Sequence, residues 1–328
     1  MKTIDIHRRK AILLGLGAMS GLSMRAAAQV DDWPKKLITI IAPLPAGSGT
    51  DACARLLAQG MSNEYKVPVI VDNKVGANGF IAARYVAKAA PDGYTLFLTG
   101  NTTHSSNEHL FKQLPYDPVK DFSPVSLVFT GFMVLMVNAN SPAKSVADLV
   151  NMAKKSSGKL SFGSGSSASR LSAEMFRQMA GVELVHVPYK GNPQALADLI
   201  GGQLDFMFTD GSTTLAQIKG GKLRALAVTS TVRHARLPDV PTMVESGYKE
   251  YELAIWTGLY TPAGVPPALI ERLNNTVRRV LLTPEIKQWG DNAVFDMVSS
   301  SPAGLAQVQS AESERTRRVV RAAGIVPE

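Results

Sequence analysis

The sequence predicts an α/β protein of two similar units, each a mostly parallel sheet with flanking helices, joined into a clamp by two crossing segments. Three observations lead there. Short runs of Leu, Ile, Val and Thr alternate with amphipathic stretches along nearly the whole chain, the pattern of helix-covered parallel sheets. A turn at 43–49 and a second at 163–169, both built of small residues, each follow an apolar run and open a helix. Two long apolar segments, 125–138 and 254–260, stand where a chain would pass from one unit to the other and return. In folds of this kind the ligand lies in the cleft outside the carboxyl ends of the strands.

Residues 1–28 stand outside that pattern. His7-Arg8-Arg9-Lys10 is a basic start, 11–24 is apolar but loosened by Gly15, Gly17 and Gly21, and Ala26-Ala27-Ala28 is a small-residue cleavage site before Gln29. The apolar run is too short to span a membrane. A cleaved export signal is expected, and Arg8-Arg9 leaves both the Sec and the twin-arginine routes open. The formal charge of +8 includes a net +4 from this leader, so the mature chain carries +4. That balance suits anionic ligands, yet no Lys/Arg run of the nucleic-acid-binding kind is present. Cys53 is the only cysteine, which excludes an intrachain disulfide; on an Ala/Leu-rich helix it reads as a small buried side chain.

The opening unit begins with a strand at 37–42, broken by Pro43, Pro45, Gly47 and Gly49. Thr50 or Asp51 can cap a helix whose apolar face is Ala54, Leu57, Ala58 and Met61. Strand, turn and helix start together make an anion site, because backbone N–H groups converge there. Gly47-x-Gly49-x-x-Ala52 also fits a dinucleotide fingerprint, with Asp72 about 20 residues on as the ribose acid. This gives the alternative reading, an exported nucleotide-dependent oxidoreductase. Pro43 and Pro45 before the first glycine, Asp51 beside the phosphates and the export signal all weigh against it.

A strand at 67–71 follows, then Gly76-Ala77-Asn78-Gly79 leading into a helix through Ala90, a strand at 94–98, and a polar loop, 100–104, containing Asn101 and His104. Gly131 is expected to break the first crossing segment. The second unit reads as a helix at 145–155 capped by Ser145, a strand at 160–163, the turn 163–169, a helix at 170–180, and strands at 184–187, 204–208 and 223–228. Helices at 193–200 and 213–219 separate these strands, each ending in Gly-Gly. After the second crossing come helices at 267–282 and from Pro284, a strand near 294–298 and a charged helix at 302–323. No Gly-x-Ser-x-Gly elbow, His-Glu-x-x-His or Cys-x-x-Cys occurs, so no catalytic or metal site is expected.

Several motifs, in order, also identify a family. They are Trp33-Pro34-Lys35-Lys36-Leu37, Ala42-Pro43-Leu44-Pro45-Ala46-Gly47, Ala90-Pro91-Asp92-Gly93-Tyr94, Leu114-Pro115-Tyr116-Asp117-Pro118, His186-Val187-Pro188-Tyr189-Lys190-Gly191, Gly220-Gly221-Lys222-Leu223-Arg224-Ala225-Leu226-Ala227 and Leu237-Pro238-Asp239-Val240-Pro241-Thr242. Over essentially all the mature chain the sequence resembles the Bug (Bordetella uptake) family, the periplasmic solute-binding proteins of tripartite tricarboxylate transporters. The resemblance implies a type II-like periplasmic-binding-protein clamp, monomeric, without catalysis or cofactor, that hands a small organic carboxylate to membrane permease subunits. The implied domains are 29–128 plus 253–328 and 129–252.

By the same resemblance, backbone amides and waters hold one carboxylate at Pro45, Ala46, Gly47, Ser48, Gly49 and Thr50, and at Gly165, Ser166 and Ser167 of the second turn. Asp210 is implied to line the cleft. Asn101 and His104 are further candidates from the polar loop. Arg170, whose charge opposes the positive end of the helix it opens, is a candidate carboxylate contact. Leu44, Ser48 and Arg170 depart from the commoner family pattern, and they sit where the ligand is expected, so the carboxylate's identity stays open.

Overall fold

The computed structural model describes residues 32–251, 253–322 and 324–327, so the leader read at 1–28 lies outside the described residues. The chain begins with β1 (Ile38–Ala42), α1 (Gly49–Tyr65), β2 (Val69–Asn73), α2 (Phe80–Ala87), β3 (Thr95–Gly100) and the short α3 (Asn107–Leu110). A long strand, β4 (Phe122–Asn138), leads into α4 (Val146–Lys155), β5 (Ser161–Ser164), α5 (Ser167–Ala180), β6 (Val185–Pro188), α6 (Asn192–Ile200), β7 (Phe206–Asp210), α7 (Gly211–Lys219) and β8 (Leu223–Val228). The return runs through β9 (Ala254–Pro262), α8 (Pro267–Leu281), α9 (Pro284–Ala293), β10 (Asp296–Met297) and α10 (Pro302–Ala322).

The strand order is β2-β1-β3-β9-β4-β7-β5-β6, with β8 and β10 also pairing to β4. β1 runs parallel to β2 and β3, and β5 runs parallel to β6 and β7. The two parallel groups meet through β4, which serves both lobes. Its residues Phe122 to Phe132 pair antiparallel with β9, while Met133 to Asn138 pair with β7 and β8. Gly131 does not break the strand, contrary to the expectation from sequence. The 17-residue strand is continuous, and a Cβ at Gly131 would fall 2.6 Å from the Phe295 ring, so the glycine serves close packing. The length is managed instead by register shifts at Pro124/Ser126 and Leu127/Phe129, bulges that bend the strand.

Each lobe has an apolar layer that fixes its helices. Ile38 and Ile40 of β1 meet Cys53, Ala54, Leu57 and Met61 of α1, all fully buried. Burying a Leu or Ile side chain stabilises by about 1.5–3 kcal/mol, so this face decides how α1 sits on the sheet. Burial drives the Cys53 thiol pKa far up, which suits a packing role and no other. In the second lobe Phe162, Phe176, Phe206 and Phe208 are fully buried and pack edge or tilted against one another.

Ser145 caps α4 as expected, its hydroxyl accepting from the Asp148 N–H. Four local features differ. At α1 the cap is Ser48, whose Oγ accepts from the Asp51 N–H, and neither Thr50 nor Asp51. The polar segment after β3 is no open loop: Thr102–Ser106 forms a π-helical turn running into α3. The 76–79 stretch stands apart from α2 because Gly76, Ala77, Asn78 and Gly79 all have positive φ, at 127°, 45°, 51° and 84°. The strand expected at 294–298 is reduced to the two residues of β10.

Candidate functional site

Backbone chemistry builds the site. Ser48 N–H donates to Pro45 O, Gly47 turns the chain at φ +84°, and α1 starts at Gly49. Asp51 holds this corner. Its Oδ2 accepts from Gly47 N–H at 3.1 Å and from Arg55 Nε at 3.2 Å; its Oδ1 accepts from Arg55 Nη2 at 2.9 Å and Asn73 Nδ2 at 2.9 Å. Asn73 Nδ2 also donates to Leu44 O. Burial alone would raise the Asp51 pKa, but the bonds from Arg55, Asn73 and Gly47 outweigh it and hold the carboxyl below its ordinary value. The charge of Asp51 is thus matched inside the corner.

The second turn is built in parallel fashion. Ser166 caps α5 through Ser169 N–H, and Ser169 Oγ in turn donates to Phe208 O on β7. Gly165 N–H donates to Asn192 Oδ1 at 2.9 Å. His186 stacks on Phe162 with its Nε2 2.7 Å from Ser164 Oγ.

Between these turns lies a cavity of about 440 Å3. Gly49 and Thr50 of α1 wall it together with Ser166, Ser167 and Ala168 of the α5 start. First-turn N–H groups of a helix have no intrahelical partner, and the macrodipole favours negative charge beside them. Helices of 17 and 14 residues therefore bring two positive ends to one space. Among the lining side chains Arg170 and Lys190 supply two cations against the single carboxylate of Asp210. One part of the wall is apolar and aromatic, from Phe111, Phe129, Met133, Ile255 and Phe295, while Asn78, Thr99, Asn101, His186, Asn192 and Thr257 add neutral polar groups. The arrangement can hold an anionic group at one wall and carbon skeleton at another.

Of the residues read from sequence, Gly49, Thr50, Asn101, Gly165, Ser166, Ser167, Arg170 and Asp210 all come to this cavity. Five do not. Ala46 and Gly47 are exposed outside the cavity wall, and the Gly47 amide is taken by Asp51. Ser48 is buried with its hydroxyl given to the cap. Pro45 instead faces Gly191 of the other lobe, where an added Cβ would lie 2.6 Å from its Cγ. His104 is the clearest correction. It is fully buried against the rings of Phe122 and Tyr260, at 4.7 and 4.2 Å, with Nδ1 2.9 Å from Thr103 Oγ1. Burial depresses its pKa to about 3, which keeps the ring neutral, and it stands in the core rather than in the cavity wall.

Asn101 lines the cavity while pinning β9 beside the end of β3. Its Oδ1 accepts from Trp256 N–H at 2.7 Å and its Nδ2 donates to Ala254 O. Sequence reasoning missed Asn78, His186 and the aromatic wall. His186 stands within one of the family motifs, but Phe129 and Phe295, stacked at 4.4 Å, come from segments with no local sign of a site. Among the described residues no group of His, Cys, Asp and Glu could hold a metal, and no helix is long and apolar enough to cross a membrane.

Two α/β lobes around a cavity fitted to an anion define a solute-binding clamp of the periplasmic-binding-protein class. Comparison with known proteins makes this specific. Residues 53–325 match the Tripartite tricarboxylate transporter family receptor, and the chain belongs to that family. It is similar to the R. palustris protein Rpa4515 solved with adipate, at 34% identity over 90% of this chain and 100% of that one, TM-score 0.88. The periplasmic binding protein BugD is 32% identical over 90% of this chain and 100% of its own, TM-score 0.86. MatC from Rhodopseudomonas palustris with bound malate is 30% identical over 88% of this chain and 100% of its own, TM-score 0.84. The chain is a solute-binding protein and not an enzyme, so the oxidoreductase reading of Gly47-x-Gly49-x-x-Ala52 is set aside.

Proposed function

We propose that the protein captures a small organic carboxylate in the periplasm and delivers it to the membrane permease subunits of a tripartite tricarboxylate-type transporter. One observation carries the reading: two helix N-termini from separate lobes face one cavity of a size suited to a small ligand. The carboxylate sits at Gly49 and Thr50 and at Gly165, Ser166 and Ser167, with Arg170 as a charged neighbour and the aromatic wall against the carbon skeleton. Asp210 gives the cavity an acceptor for a ligand hydroxyl or ammonium. The lobes correspond to residues 29–128 plus 253–328 and to 129–252, and the leader directs export and is cleaved after Ala28. That relatives hold adipate and malate supports aliphatic dicarboxylates as the first compounds to test.

A thermal-shift panel of aliphatic di- and tricarboxylates, aromatic acids, amino acids and nicotinate tests this. A true ligand at a hundred times its Kd stabilises the fold by about 2.7 kcal/mol and raises Tm accordingly. The methyl ester of the same compound should lose the effect, because it removes the charge the helix ends recognise. Acid and ester acting equally would count against carboxylate recognition.

A further inference from the structure

We infer that Asn107 is a positioning residue, a fastener that holds the second lobe over the cavity. It is fully buried at the start of α3 and lies outside the cavity lining, but it joins two parts of the wall. Its Nδ2 donates to Asn78 O at 2.9 Å and to Tyr116 OH at 3.1 Å, both in the first lobe. Tyr116 OH passes the chain on to Thr103 O at 2.9 Å. Its Oδ1 accepts from Ser167 Oγ at 2.9 Å, and Ser167 is the first residue of α5 in the second lobe.

The bonds within the first lobe fix the Asn107 amide before the lobes meet, so its acceptor is oriented toward the other lobe in advance. They also tie down Asn78, a cavity-wall residue held in the left-handed region at φ 51°. The bond to Ser167 is different in kind, because separating the lobes breaks it. A contact made in one state only is what shifts a two-state equilibrium, so this bond favours closure. It does so at the helix end proposed to hold the carboxylate. Contact of Pro45 with Gly191 places a second, apolar touch between the same lobes. The inference rests on reading the protein as a closing clamp, and it assigns to Asn107 an effect on closure without contact to ligand.

The test compares wild type with Asn107→Ala, Ser167→Ala and the double variant. Small-angle scattering on ligand-free protein should give a larger radius of gyration for each single variant. Ser167→Ala keeps this readable should Asn107→Ala fail to fold. Stopped-flow tryptophan fluorescence then follows adipate and malate. Asn107→Ala should speed dissociation about five- to 150-fold, the range for a buried donor left unpaired, with association changed less than about twofold. In the Asn107→Ala background, Ser167→Ala should add less than it does alone. An unchanged radius of gyration in Ser167→Ala, or strictly multiplicative effects of the two changes, overturns the fastener. If neither acid binds wild type, the choice of carboxylate fails, while the scattering still decides the role of Asn107.

Discussion

Gly165→Ala is expected to abolish carboxylate binding and to lower Tm by several degrees. A Cβ built at Gly165 lies 2.0 Å from Gly191 C and 2.2 Å from Asn192 N. Both neighbours are backbone atoms, so no side-chain rotation relieves the clash. The loops must part, which breaks Gly165 N–H to Asn192 Oδ1 and strains Tyr189 N–H to Ser164 O at 2.8 Å, the bond that continues the β5/β6 ladder. Overpacking of this kind costs about 1–3 kcal/mol in stability, and the displaced loops are both cavity walls. Calorimetric titration with circular dichroism melting measures both effects. Wild-type affinity in a folded Gly165→Ala protein would mean that the 163–169 turn does not shape the site.

Thr50→Glu should separate binding from stability in the opposite sense. Thr50 is the second residue of α1, where an acidic side chain is favourable by about 0.3–1 kcal/mol. The ligand-free protein should therefore melt no lower than wild type. The new carboxylate enters the space proposed for the ligand's own, since Thr50 lines the cavity. Like charges about 4 Å apart at an effective dielectric near 20 repel by about 4 kcal/mol, beyond a hundredfold in affinity. A Thr50→Glu variant that still binds the carboxylate would place the anion elsewhere in the cavity.

What the sequence can and cannot disclose follows from the range of each interaction. The β–α alternation, the Ser145 cap and the glycines that turn the chain after α6 and α7 (Gly202 and Gly221, φ +78° and +66°) depend on neighbours a few residues away and are legible. So are the two small-residue turns, because strand, turn and helix start are contiguous. The α1 cap is ambiguous in sequence since Ser48, Thr50 and Asp51 all have capping side chains, and only the direction of the chain selects Ser48. A glycine turn exposes amides, which points Gly47 at the ligand; that its amide meets Asp51 depends on how Asn73, 22 residues on, fixes the carboxylate. His104 misleads for a similar reason. Its ring is enclosed by Phe122 and Tyr260, and nothing near His104 in sequence announces that burial. Gly131 suggests a break because Phe295, the ring it makes room for, arrives from the far end of the chain.

In the proposed function one carboxylate is held where α1 and α5 begin. Backbone amide resonances recorded on isotopically labelled protein during titration with adipate and malate test it most directly. The largest shifts are expected at Gly49, Thr50, Ser166 and Ser167, with Gly47 and His104 nearly still. Binding that moves Gly47 and His104 while leaving the starts of α1 and α5 unchanged would contradict it.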